Sequence, residues 1–120
     1  MEKADFDKEK IYVTVKKYID LVAKQQPGLI SAFLFGSYAR NTQRSESDID
    51  VALVIDNLSD NDKFDIKVRL MRLASTIDNR IEPHPISSQE LISGNPFAVE
   101  ITKTGIGIKV SHAAATDKGQ

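Results

Sequence analysis

Two apolar runs joined by a polar loop constrain this chain more than any other stretch. Ala32-Phe33-Leu34-Phe35 stops at Gly36-Ser37, and Asp48-Ile49-Asp50 opens the run that continues from Val51 to Ile55. The pattern is a strand, a tight turn of a size that suits a phosphate, and a second strand headed by two carboxylates. Side chains two apart on a strand share a face, so Asp48 and Asp50 converge while Ile49 and Val51 face the core. Paired carboxylates aimed at one spot resist ionising together unless a cation lies between them. The chain has no cysteine, and oxygen-only ligation suits Mg²⁺ or Mn²⁺; Mg²⁺ characteristically joins one or two carboxylates to the phosphates of a nucleotide.

Gly36-Ser37 supplies the other half of such a site. Glycine lets the backbone turn sharply and lets a ligand come close. Ser37-Tyr38-Ala39-Arg40 is expected to begin a short helix, whose free N–H groups and positive end favour phosphate oxygens. The Ser37 hydroxyl adds a donor, and Arg40 brings a forked guanidinium to the same side of one turn. Gly36, Ser37 and Arg40 are therefore the candidate phosphate binders. Ser37 is not expected to act as a covalent nucleophile, because no histidine is spaced to activate it.

Composition narrows the class. A length of 120 residues allows one small domain with a real core; its expected extent is 1–110, with 111–120 an unstructured tail. A formal net charge of −1 gives no broad reason to bind nucleic acid. The absence of cysteine excludes disulfides and thiolate chemistry and fits the cytoplasm. No apolar stretch approaches a membrane span, and the first residues do not read as a signal peptide.

Ile11, Val15, Ile19 and Val22 recur at helical spacing over about 5–25, with Tyr12, Val13 and Tyr18 widening the apolar face. Pro27-Gly28 turns the chain into the first strand, which is apolar on both faces and so central in its sheet. In the loop 41–47, Arg44 reads as solvated and Glu46 as too early to be a ligand. The segment 60–78 reads as a crossover helix that buries Phe64, Val68, Met71, Ala74 and Ile77 and exposes Lys63, Lys67, Arg69 and Arg72. Ser87-Ser88-Gln89-Glu90 is a capping box before a helix that Gly94 closes, and Asn95-Pro96 starts another that Gly105 stops. Residues 106–110 alternate as a last strand.

Between these lies Arg80-Ile81-Glu82-Pro83-His84-Pro85-Ile86, a third strand. Its prolines lack N–H groups on one side, which makes it an edge. Glu82 and His84 share the other face. If this strand neighbours the second, Glu82 becomes a third carboxylate beside Asp48 and Asp50, whereas His84 reads first as structurally bonded or solvent-facing, with contact to substrate or to the general base as the alternative.

Gly36-Ser37, ten residues, then Asp48-Ile49-Asp50 resembles the G-S-x(10)-D-x-D signature of the DNA polymerase β-like nucleotidyltransferase superfamily. In length the chain resembles its minimal nucleotidyltransferase (MNT) members, among them the antitoxins of HEPN/MNT pairs. Asn41 departs from the pattern, where a second glycine is usual. The resemblance implies an α/β fold, a small mixed sheet with helices packed on it. It also implies metal-dependent transfer of AMP from ATP, with Asp48, Asp50 and Glu82 as catalytic and metal-holding carboxylates, Glu82 also being placed to take the acceptor's proton. The implied acceptor is a hydroxyl, that of a tyrosine on a HEPN-type helical partner or, as in antibiotic-modifying relatives, one on a small molecule. A third reading is a non-catalytic antitoxin that blocks its partner by contact; the aspartate pair argues against it. No segment after Glu82 is expected to build an acceptor pocket, which favours the protein acceptor. Self-association is left open.

Overall fold

In a computed structural model, which describes residues 3–40, 42–44 and 47–112, the chain runs α1 (Lys3–Gln25), β1 (Leu29–Phe35), α2 (Ser37–Arg40), β2 (Ile49–Ile55), α3 (Asp60–Ser75), β3 (Ile81–Ser87), α4 (Ser88–Ile92), α5 (Pro96–Thr104) and β4 (Ile106–Ile108). The strands form one four-stranded sheet in the order β3-β2-β1-β4. β1 is antiparallel to both neighbours, while β2 and β3 are parallel across the α3 crossover. The apolar β1 is central and the proline-bearing β3 is an edge, as the sequence implies.

Alternation along the strands separates two cores. On one face Ala32, Leu34, Ile49, Val51, Leu53 and Ile55 pack against α1 and α3. On the other, Ala52, Val54 and Ile86 pack against Ala98 and Ile101 of α5, with Phe33 and Phe35 at the margin. Asp50 precedes Ala52 by two residues and so belongs to this second face, where the small helices leave the strand heads uncovered.

The caps match the sequence closely. Ser87 caps α4 in a two-way capping box with Glu90, Asn95 caps α5 with Pro96 in its first turn, and Ser59 caps α3. The face of α3 does not. Ile66, Leu70 and Ala74 are the buried residues, with Leu73 and Ile77 packed beside them, whereas Phe64 is 74% exposed and Val68 and Met71 also face outward. Residues 64 and 66 lie about 200° apart on a helix, so α3 carries two apolar stripes. The sheet takes the one that includes Leu70, whose carbonyl also accepts a 2.9 Å hydrogen bond from the buried Tyr18 hydroxyl. On α1, likewise, Tyr18 joins the core but Tyr12 and Val13 stay exposed. Nor are Lys63 and Lys67 simply solvated: Lys63 pairs with Glu90 at 2.7 Å, and Lys67 lies 3.7 Å from Glu82.

At the C-terminal end, His112, expected within an unstructured tail, has its ring nitrogen 2.8 Å from the Leu29 carbonyl. Residues 113–120 lie outside the described residues. No helix among the described residues is long and apolar enough to cross a membrane.

Candidate active site

The site is built where β1 ends and β2 and β3 begin. Gly36 leaves β1 with a φ of +75°, a left-handed turn that glycine adopts without strain. That turn brings its α-carbon against the Asp50 side chain, so that a methyl group at Gly36 would overlap Asp50 Oδ2. Phe35 pairs with Asp50 across β1–β2, and Asp50 pairs with Glu82 across β2–β3. Adjacent strands lie about 4.8 Å apart, so these two carboxylates start from neighbouring backbone positions on one face.

Each of them holds a nearby cationic or donor group. Asp50 Oδ1 is 3.1 Å from His84 Nε2; the carboxylate accepts, so Nε2 carries the hydrogen. Glu82 Oε2 leans toward Lys67 at 3.7 Å. Asp48 is exposed, one residue before β2 begins. Among the described residues no three Asp, Glu or His side chains are drawn together as an ion cage. The structure thus brings together Asp50, Gly36, His84 and the backbone of Glu82; Asp48 and the Glu82 carboxylate stand at the rim. The donor set, carboxylate oxygen, is nevertheless of the kind a hard divalent cation takes, and the bare α-carbon of Gly36 makes room for Asp50 Oδ2.

Ser37 opens the short α2, and Arg40, in its last turn, points into solvent. Asn41 and Glu46 lie outside the described residues. Arg44 is exposed, and its N–H donates to Ser47 Oγ at 2.7 Å, closing the loop before Asp48.

His84 stands beside Asp50 as a bonded histidine on this face. The available signal was its position two residues after Glu82, on the same face. A different feature went unread. Arg80 forks onto Asp78, with Nη2 at 2.8 Å and Nε at 3.1 Å, and its Nη1 reaches the Tyr38 hydroxyl at 3.2 Å. The Arg80 carbonyl accepts from the Ile49 N–H at 2.7 Å. One residue therefore ties α2 to the heads of β2 and β3, the three segments that carry Ser37, Asp50 and Glu82. Tyr38→Phe is expected to destabilise the fold by about 0.5–1.5 kcal/mol, as one lost hydrogen bond. Arg80→Lys should cost more, because an ammonium cannot make the fork. Unchanged urea midpoints in both variants would remove the link from the account.

The profile of the family described as Polymerase beta, Nucleotidyltransferase matches residues 16–111 of this chain. The chain belongs to that family. Nucleotidyl transfer is accordingly its class of reaction. No curated protein matches the sequence. Two solved structures share the nucleotidyltransferase fold. A candidate nucleotidyltransferase from Sulfolobus solfataricus superposes with a TM-score of 0.63 at 22% identity, over 78% of this chain and 81% of that one. A toxin-antitoxin crystallised with AMP-PNP superposes with a TM-score of 0.50 at 23% identity, over 89% and 76%.

This nucleotidyltransferase also carries a cleft that the sequence did not announce. A cavity of about 410 Å³ beside the edge strand is lined by Lys63, Phe64 and Lys67 of α3, by His84 of β3, and by Glu90 and Phe97 of α4 and α5. The segments after Glu82, expected to form no acceptor pocket, do contribute to this cavity. Two short helices suffice, because they frame the β3 edge together with the outward face of α3.

Two bonded carboxyls, Glu90 on α4 and Asp78 after α3, should make the nucleotidyltransferase less stable in acid. Burial opposes ionisation of Glu90, but bonds from the Lys63 ammonium and the Ser87 N–H outweigh it and hold its carboxyl below the usual range. Hydrogen bonds from the Arg80 guanidinium lead in holding Asp78 below its ordinary value. Both groups bind protons more readily unfolded than folded. Their contribution is therefore present above the unfolded carboxylate pKa of about 4 and is lost as pH falls through the depressed folded values. Urea midpoints measured downward from pH 6 should fall below about pH 4, and Glu90→Gln or Asp78→Asn should flatten that limb.

Proposed function

We propose that this chain moves AMP from ATP to a hydroxyl on a HEPN-type helical partner protein, with Mg²⁺ or Mn²⁺ held by Asp48, Asp50 and Glu82. The observation that carries the reading is Asp50, set over the bare α-carbon of Gly36 and in register with Glu82.

In this reading Gly36 and Ser37 receive the β- and γ-phosphates, and Arg40 swings from solvent to join them. Binding energy from the triphosphate end then orients the α-phosphorus. A divalent cation, when bound, offsets the charge of the phosphates and of the carboxylates together. The acceptor oxygen bonds to the α-phosphorus, the α–β anhydride bond breaks, and pyrophosphate leaves with the electron pair. Glu82 takes the hydroxyl proton, and His84 keeps Asp50 in its orientation through the 3.1 Å bond. ATP as donor and a protein partner draw support from the toxin-antitoxin with AMP-PNP, whose fold is similar.

The test incubates the purified chain and its partner with ATP and Mg²⁺ and reads the partner's intact mass. Additions of AMP are expected. Mn²⁺ should replace Mg²⁺, and Ca²⁺ should do so poorly because it prefers longer and looser coordination. An unmodified partner alongside efficient labelling of an aminoglycoside would make this a small-molecule enzyme.

A further inference from the structure

We infer that the outward stripe of α3 is the interface of a two-fold dimer of this chain, in which α3 packs antiparallel on α3 of a second copy; this goes beyond the transfer reading and stands apart from it. Phe64, Val68 and Met71 are exposed and belong to neither core. Spacings of four and then three residues set them in one line, the narrow seam by which one helix packs on another. A single exposed apolar side chain is ordinary, but three in line on one helix mark a surface that another molecule covers.

Charge along the two edges of the seam indicates which molecule. At 3.6 residues per turn, Asp65 and Arg72 flank the seam on one edge and Lys67 flanks it on the other. A parallel pairing of two α3 helices joins opposite edges and brings Lys67 beside Arg72 of the second copy, cation against cation. An antiparallel pairing about a two-fold axis joins like edges. It brings Asp65 beside Arg72 of the second copy, and the symmetry repeats that contact in reverse. In the same register Val68 meets Met71 of the second copy, and Phe64 meets the smaller Ser75. Neither Asp65 nor Arg72 has an ion pair with the described residues of its own chain, so both charges are available. A stripe shaped for an unlike partner has no reason to match itself in this way. Phe64 also lines the cleft beside β3, so a second copy seated on the stripe covers that wall. With its 16 residues, α3 is about 24 Å long. One such helix pair is small against the roughly 800 Å² per partner of a standard interface, which sets the dimer in the micromolar range of affinity.

The test is sedimentation velocity of the purified chain from about 5 µM to about 500 µM, which brackets that range. A monomer–dimer equilibrium is expected. Val68→Glu sets a carboxylate in the seam without touching the core, and should weaken association by about tenfold or more with an unchanged urea midpoint. Arg72→Asp should weaken it about tenfold, because acidic groups then face each other at both ends of the seam. Combining Asp65→Arg with Arg72→Asp exchanges the two charges, and should bring the dissociation constant back to within a few-fold of the parent's. A chain that stays monomeric over the whole range, a dimer indifferent to Val68→Glu, or an exchange that fails to restore association would overturn the inference. If the monomeric chain instead gains hydrogen-exchange protection along α3 only when a helical partner protein is added, the stripe belongs to that partner and not to a second copy.

Discussion

Asp50→Asn is expected to lower nucleotidyl transfer by about a thousandfold or more while the protein still folds, an effect of the size seen when a preorganised charge is removed from a reaction centre. The substitution is nearly isosteric. The amide oxygen can still accept from His84 Nε2, which now lies 3.1 Å from Asp50 Oδ1, and the space over Gly36 is filled by a group of the same shape. The loss is therefore charge rather than packing. Without metal, relief of repulsion from Glu82 and Asp48 stabilises the variant, and the weaker His84 bond offsets that gain, so the melting temperature should stay near the parent's. With Mg²⁺ added, the parent should gain stability from binding and the variant should not, following mass action. Asp48→Asn should act in the same direction. Activity of the Asp50 variant within a few-fold of the parent, with normal folding, would remove Asp50 from the chemistry.

Most of the fold was legible because it is written locally. The apolar runs of β1 and β2, the Ser87–Glu90 capping box, the Asn95-Pro96 start and the proline-marked edge each depend on a few neighbouring residues, and each is realised. The core face of α3 was not legible. Both of its stripes have helical period, and only the shape of the sheet decides between Ile66-Leu70-Ala74 and Phe64-Val68-Met71. The same division runs through the site. Spacing singled out Gly36 and Asp50, its place on the third strand and the family resemblance singled out Glu82, and the register sets Asp50 opposite Glu82. By contrast the His84–Asp50 bond, the Arg80–Tyr38 link and the Phe64–Phe97 cleft join residues that are 34, 42 and 33 positions apart in the chain. No local period encodes such meetings. The third carboxylate shows how far register goes: it places the backbone of Glu82, while the side chain turns to whichever cation is near, here Lys67.

Gly36→Ala is expected to combine two losses that a second glycine separates. Both Gly36 and Gly94 have left-handed backbones, with φ of +75° and +82°. Around Gly94 a β-carbon would meet nothing within 4 Å, so Gly94→Ala should cost only the backbone term, roughly 1–2 kcal/mol, with transfer activity kept. At Gly36 the same methyl would overlap Asp50 Oδ2, and it would also lie 3.2 Å from Cγ and 3.3 Å from Cβ of Asp50. Rotating the carboxylate moves the oxygen but not the Cβ, which is fixed by the β2 strand, so the turn or the strand head must shift. A displacement of about 1 Å at a reacting centre costs about a hundredfold in rate. Gly36→Ala should therefore be the less stable of the two variants and should lose about a hundredfold or more in transfer. Truncating the neighbour gives the internal check. In an Asp50→Ala background most of the overlap disappears, and the cost of Gly36→Ala in urea melts should fall toward that of Gly94→Ala, a coupling in the range of about 0.5–3 kcal/mol expected for residues in contact. Equal costs for Gly36→Ala in both backgrounds, with activity preserved, would mean that Gly36 serves the turn alone and that the close approach to Asp50 has no part in the chemistry.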